Sequence, residues 1–326
     1  MRAIVCHAFS SPEKLVLEEI ASPEPNEKEV IVAVNACSLN FPDTLIVQGK
    51  YQFRPPLPFT PGSDIAGVIK SVGSKVKHLS VGQEVMGFVP YGGFAEEVVA
   101  PSATIFPKPS FLEDGIAASF LLAYGTSYHA LNNRAQLQAG ETLVVLGASG
   151  GVGLAAVEIG KQMGAKVIAC ASTDEKLALC KNHGADEGIN YLTEDLKERI
   201  KILTDGKGAN VIYDAVGDAF SEPALRAIAW EGRFLVVGFA AGEIPKIPLN
   251  LTLLKGCQIV GVFWGSWATQ FPQDNMQNTM ELLQWLSEGK LRPYIQKRYP
   301  LADAPQAMID MMQRKVMGKV IIDCKK

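Results

Sequence analysis

The sequence has few residues that bind metals. Four histidines, at 7, 78, 129 and 183, are spread over 326 residues, and none stands in a paired spacing. Six cysteines, at 6, 37, 170, 180, 257 and 324, are equally scattered, with no Cys-x-x-Cys among them. The ligand spacings of structural zinc sites are therefore missing. Unclustered thiols of this kind are expected to be small, reduced core residues, which points to a cytoplasmic setting. No apolar run approaches the roughly 20 residues that a membrane helix requires, so no membrane partner is expected. Met1-Arg-Ala-Ile-Val5 runs straight into a strand pattern, which predicts no signal or transit segment. A basic excess is absent too: 31 Lys and Arg face 34 Asp and Glu, for a net charge of −3. That balance leaves no electrostatic footprint for nucleic acid. There is no internal repeat and no low-complexity segment. What remains is 48% hydrophobic and 20% charged residues, a composition able to bury a sizeable core. The length suggests about two domains.

Up to about residue 120, short β-like runs such as 29–34, 64–69 and 84–89 are broken by Pro and Gly. Such spacing predicts a compact, barrel-like, mainly β domain. From about 123 to 265 strands and helices alternate, with candidate strands at 143–146, 166–170, 211–214, 234–238 and 258–263. That alternation predicts an α/β, doubly wound parallel sheet. The tail returns to helices, at 276–287 and 304–315, and ends in a strand at 319–323. A tail of this kind could complete the first domain and make it discontinuous.

The most informative segment is Leu143-Val-Val-Leu-Gly-Ala-Ser-Gly-Gly-Val-Gly153. A strand-length apolar run stops at Gly147-x-x-Gly150-x-x-Gly153 and continues as a helical pattern, with a second strand at 165–170. In such a βαβ unit, glycine permits the tight turn and close packing, and the helix N-terminus offers N–H groups to a pyrophosphate. Gly150, Gly151 and Val152 are the candidates for this contact, and a dinucleotide is the expected ligand.

The tip of the second strand carries Ala171-Ser172-Thr173, followed by Asp174-Glu175-Lys176. An NAD site usually places a carboxylate at the tip to accept from the ribose hydroxyls. Small hydroxylic residues with a cation one turn later favour a 2′-phosphate, and hence NADPH. Ser172 and Lys176 are the candidate contacts. Ser172 is also suited to cap the next helix with Glu175 as its capping-box partner, while Asp174 or Glu175 could turn back onto a ribose.

Beyond these local patterns, the chain resembles the zinc-independent quinone oxidoreductases of the zeta-crystallin type, within the medium-chain dehydrogenase/reductase superfamily. The resemblance runs nearly end to end. It is carried by Asn40-Phe-Pro-Asp43, Gly49-Lys-Tyr51, Pro58-Phe-Thr-Pro-Gly62 with Gly67, and Gly92-Gly-Phe-Ala-Glu96. Further on it rests on Gly125-Thr126, Gly140-Glu141, Ile189-Asn-Tyr191, Tyr213-Asp-Ala-Val-Gly217 and Gly232-Arg233. Ala229-Trp-Glu-Gly-Arg233, Gly238-Phe-Ala240 and Leu253-Leu-Lys255 resemble the quinone oxidoreductase-like branch in particular. Leu45 departs from the pattern, since several members carry a tyrosine there, and this leaves Tyr51 as the local phenol.

The resemblance implies a GroES-like, mainly β catalytic domain over residues 1–122 and 266–326, with a Rossmann dinucleotide-binding domain over 123–265. It implies no metal, because zinc-dependent relatives place a cysteine and a histidine at the positions of Asn40 and Ser63. It places Asn40 at the nicotinamide end of the cleft, although a turn-forming Asn would read the same way. Thr126, taken as a helix start, is expected on the nicotinamide or its phosphate, with capping as the alternative. Lys176, Tyr191 and Arg314 match residues that grip the 2′-phosphate and adenosine. An exposed helix charge is the competing account of Arg314. The main chain around Gly238, Phe239, Phe263 and Trp264 is expected to support the ribose and carboxamide. By analogy, the strand at 258–263 pairs across a two-fold axis to form a homodimer.

Without a metal to polarise a substrate, an acceptor that is already electron-poor is favoured. The expected reaction is hydride transfer from NADPH to a quinone. An enone, enal or enoyl-thioester double bond is the alternative acceptor, and a non-catalytic NADPH- or RNA-binding protein is a further alternative. Tyr51 is the candidate to hydrogen-bond the acceptor oxygen or relay a proton, or else simply to line the site. Phe41, Phe53, Phe263, Trp264 and Trp267 offer flat apolar surface.

Overall fold

The computed structural model describes residues 1–325. By contact density the chain divides into two compact units: Met1–Leu122 together with the chain from Pro293 onward, and Ala123–Arg292. The segment 266–292, expected with the first domain, lies with the second unit. The reason is packing in the helix Pro272–Ser287: Tyr128 donates to Glu281 at 2.6 Å and its ring meets Trp285 edge-on at 5.7 Å.

The first unit is built on the long strand Glu29–Leu39, whose apolar positions are buried on both faces. Asp64–Val72 pairs along one side of it; Glu97–Pro101 and Lys319–Asp323 share the other. Glu84–Phe88, Ile105–Pro107 and Ile295–Pro300 complete a seven-stranded, mainly antiparallel sheet. Glu29–Leu39 and Asp64–Val72 run longer than the sequence pattern suggested, and their ladder continues through bulges near Val32 and Ala36. Val32, Leu39, Ile65, Phe94 and Ile322 pack the core. The strand Ile295–Pro300 carries Lys297 and Arg298 among its apolar residues, which hid its β character.

The second unit holds a six-stranded sheet, all parallel, in the spatial order Glu187–Asn190, Lys166–Ala171, Thr142–Leu146, Ala209–Asp214, Ile228–Val236 and Gln258–Gly261. The chain winds outward in both directions from Thr142–Leu146, so the C-terminal end of that strand is a topological switch point. In open α/β sheets ligands bind outside such a point. The central strands carry apolar runs, Leu143–Leu146, Val167–Cys170 and Val211–Tyr213, that are fully buried because both faces are covered.

The helix Gly151–Gln162 leaves the switch point, and its seating is unusually well determined. Glu158 lies buried in its middle, accepting from Tyr124 at 2.7 Å, from the Arg292 backbone at 3.0 Å and from His183 at 2.6 Å. A carboxylate with three donors is a stable buried group, whereas an unpartnered one would be costly. Among the described residues, no helix is long and apolar enough to cross a membrane.

Candidate active site

At the switch point, Gly147 turns the chain at φ = +69° and Gly150 caps the helix Gly151–Gln162. A Cβ on Gly153 would sit 2.2 Å from the Gly147 carbonyl oxygen, and one on Gly147 would sit 2.7 Å from Val216. Any side chain at these two positions forces the turn open. At the start of this helix the N–H groups of Gly151 and Val152 have no intrahelical acceptor. That cradle fits a pyrophosphate.

The neighbouring strand ends assemble the rest. Ser172 and Lys176 meet at the end of Lys166–Ala171, where the Lys176 ammonium donates to Ser172 Oγ at 3.1 Å. The cap of the following helix is Thr173, which accepts from the Lys176 backbone at 3.3 Å; the expected Ser172 cap is not formed. A residue earlier, Ser172 is left to face its lysine. Asp174 is turned the other way, accepting from Asn190 at 3.0 Å. Tyr191 hangs its backbone on Ala171 at 3.2 Å and packs its ring against Phe220 at 4.4 Å. Ser172, Lys176 and Tyr191 therefore sit on adjoining strand ends, beside the glycine turn.

Gly238 and Phe239 follow the end of Ile228–Val236, and Phe263 and Trp264 follow the adjacent end of Gln258–Gly261. Trp264 is not an open aromatic surface. It is buried, donates to Asn275 at 2.9 Å, and fills the space beside Gly125, where a Cβ would come within 2.9 Å of the indole. Trp267 stacks on His129 at 4.2 Å. Phe263 is exposed. Thr126 is not at a helix start: the helix Asp114–Tyr128 runs unbroken through Gly125, whose role is to admit Trp264. The next residue, Ser127, donates to the Val152 carbonyl at 2.7 Å, which ties this turn to the glycine-turn helix.

The first unit holds Asn40, Tyr51 and Arg314. Arg314 is exposed, at φ = +60°, just beyond the helix Ala304–Met312. Asn40 ends the long strand and opens the short helix Phe41–Val47; its N–H donates to Asp43 at 2.8 Å. Around its amide lies a cluster that sequence patterns did not single out. Lys319, 5% exposed, donates to Asn40 Oδ1 at 2.5 Å. Asn40 Nδ2 donates to the Ser38 carbonyl at 3.3 Å and to Asp64 at 3.4 Å, while Ser63 donates to Asp43 at 3.0 Å. Burial raises both carboxyls, Asp43 to about 6 and Asp64 to about 7, against hydrogen bonds and the Lys319 charge that lower them. Burial lowers Lys319, and the two aspartates oppose that fall. The signal for this cluster was a lysine opening an apolar strand pattern, 279 residues from its partner.

Tyr51 is half-buried, and its phenol is raised by burial and then by the Asp43 charge. A phenol shifted upward stays protonated at neutral pH, so it can donate a hydrogen bond but is a poor proton source.

These features coincide with what known proteins share. The family model described as zinc-binding dehydrogenase matches residues 151–285, and that of the alcohol dehydrogenase GroES-like domain matches 26–110. The chain is 43% identical to the quinone oxidoreductase-like protein 2 homolog of Nematostella vectensis, over 99% of this chain and 89% of that one. It is 35% identical to the quinone oxidoreductase of Rattus norvegicus, over 99% and 97%. The chain belongs to the quinone oxidoreductase family of the medium-chain dehydrogenase/reductase superfamily. It is an oxidoreductase, with the Rossmann and GroES-like folds of that superfamily. The solved quinone oxidoreductase of Escherichia coli, complexed with NADPH, superposes with a TM-score of 0.93 at 29% identity, covering 99% of this chain and 100% of that one.

The family model's name implies zinc, and the residues here do not fit it. Asn40 Oδ1 is taken by an ammonium and Ser63 by Asp43, and neither side chain replaces a thiolate or imidazole well. Among the described residues, no group of three His, Cys, Asp or Glu is arranged to hold a metal.

Proposed function

We propose that this oxidoreductase is an NADPH-dependent, zinc-independent reductase whose acceptor is a quinone. The observation that carries the cofactor choice is the Lys176–Ser172 pair at the strand tip, with Asp174 tied back to Asn190. Two donors, one of them cationic, suit a 2′-phosphate, and Asp174 is engaged elsewhere. In this reading Gly150, Gly151 and Val152 hold the pyrophosphate, and Lys176 and Tyr191 take the adenosine end; for Arg314, in the first unit, a contact with the cofactor is proposed from the family resemblance alone. Thr126 and the main chain at Gly238, Phe239, Phe263 and Trp264 support the nicotinamide end; for Asn40, in the first unit, a nicotinamide contact is proposed from the family resemblance alone. NADPH, when bound, supplies the hydride. The protein's part is alignment and exclusion of water. Tyr51 serves as a hydrogen-bond donor to the acceptor oxygen. The first unit is the catalytic domain and the second the dinucleotide domain.

The relatives' names support a quinone, and the residues at Asn40 and Ser63 agree. With no thiolate or imidazole to hold a Lewis acid there, an acceptor that needs no polarisation is favoured. A homodimer is proposed through the sheet edge at Gln258–Gly261. Ile259 is exposed on that strand, and Trp230 is exposed beside Gly256. An uncovered apolar edge of this kind invites pairing with a second copy.

The test is loss of NADPH absorbance, with NADH in parallel, against 1,2- and 1,4-quinones and simple enones, with and without chelator. Chelator-insensitive oxidation of NADPH by quinones is expected. Turnover with enones alone moves the assignment to a double-bond reductase. Binding of NADPH without turnover by either class overturns the catalytic assignment.

A further inference from the structure

Lysine is rarely buried unless a partner requires it, and Lys319 is buried at the first residue of the strand Lys319–Asp323. Antiparallel pairing sets Val320 opposite Leu39 and Ile321 opposite Ser38, which brings Lys319 up to Asn40. The three contacts of the Asn40 amide agree on one orientation. Oδ1 faces an ammonium, which only donates, while Nδ2 faces the Ser38 carbonyl and the Asp64 side chain. A flipped amide would set Nδ2 against the ammonium and Oδ1 against two oxygens, losing all three hydrogen bonds.

We propose that Lys319 is a positioning residue: it locks the Asn40 amide in one orientation, so that a bound molecule meets Asn40 in a single fixed pose. The lock is closed on both edges of the amide: Oδ1 faces the ammonium and, in the capping box of the helix Phe41–Val47, the Asp43 backbone N–H, while Nδ2 donates to the Ser38 carbonyl and Asp64. The inference rests on Asn40 belonging to the reacting end of the site, as proposed above.

The test compares Lys319→Met, which keeps the stem and loses the donor, with Lys319→Arg, which keeps charge and donors. The Asn40 side-chain amide signals of the ¹⁵N-labelled free protein, identified by their loss in Asn40→Ala, are read first. They should be protected from exchange in the wild type and in Lys319→Arg, and exposed in Lys319→Met. In turnover, Lys319→Met should lower kcat/KM for NADPH by roughly tenfold or more, as loss of a charge-assisted hydrogen bond implies. Lys319→Arg should restore it. In an Asn40→Ala background the Met substitution should cost little, because the two residues act as one unit.

A folded Lys319→Met protein with unchanged Asn40 signals overturns the proposal. So does a kinetic loss that persists undiminished without Asn40. If Lys319→Met does not fold, Lys319→Gln decides: a retained donor should retain the protected signals, and their loss refutes the locking role. A wild-type protein that oxidises no NADPH removes the reading of the site. The amide signals, taken without cofactor, still judge Lys319.

Discussion

Replacing Lys176 by alanine should alter the cofactor ratio more than the reaction. Its ammonium lies 3.1 Å from Ser172 Oγ, so the two groups can grip one phosphate together. A hydrogen bond to a charged group contributes about 1.5–3 kcal/mol. Lys176 is half-buried, and screening at physiological salt reduces the figure to about 1–2 kcal/mol. Lys176→Ala should therefore weaken NADPH about 5- to 30-fold. NADH, which has no 2′-phosphate, should change less than about twofold on the same scale. Fluorescence titration of both dinucleotides against wild-type and variant protein gives the ratio directly. Because the contact is ionic, the wild-type preference for NADPH should also shrink as salt rises, and that of the variant should shrink less. Equal losses for the two cofactors would refute the phosphate role and leave Lys176 as a helix-start charge. No loss of NADPH affinity would refute it as well.

Gly153→Ala should abolish dinucleotide binding and lower the melting temperature, since its Cβ would lie 2.2 Å from a backbone oxygen that cannot move alone; calorimetry checks both. Asp43 and Asp64 have folded pKa values above their ordinary one, so the folded chain holds more protons than the unfolded one between about pH 4 and 7. Their contribution to stability is full at the acid end and is lost as pH rises through that window. Urea titrations in steps from pH 4 to 8 should show a flatter profile in Asp64→Asn than in the wild type. Ile259→Lys places a charge on the exposed edge strand, and light scattering should then find a monomer where the wild type gives a dimer.

What could be read from the sequence was local. The glycine turn, its flanking strands and the helix after them lie within one short stretch, and each part depends on its neighbours. The Lys176–Ser172 pair is separated by one helical turn, so its meeting followed from periodicity. The choice of Thr173 over Ser172 as cap turned on a single residue of backbone geometry, which composition does not encode. Thr126 was misplaced because a glycine normally argues against a helix interior, and here Gly125 is kept for the indole of Trp264, remote in sequence. The Asn40 cluster was out of reach for the same reason. Lys319 gains its meaning from the pairing register of two strands at opposite ends of the chain. The tail from 266 to 292 read as polar helix, and only its packing against Tyr128 assigns it to the second unit.

All six cysteines are unpaired and buried. Burial pushes each of their thiols upward, Cys180 to about 12. Quinones are electrophiles that add to thiolates, and a thiol that is both enclosed and reluctant to ionise offers them no nucleophile. A reductase that handles such acceptors would thus be protected from alkylation by its own substrate. It should outlast quinone exposures that inactivate enzymes with accessible, low-pKa cysteines.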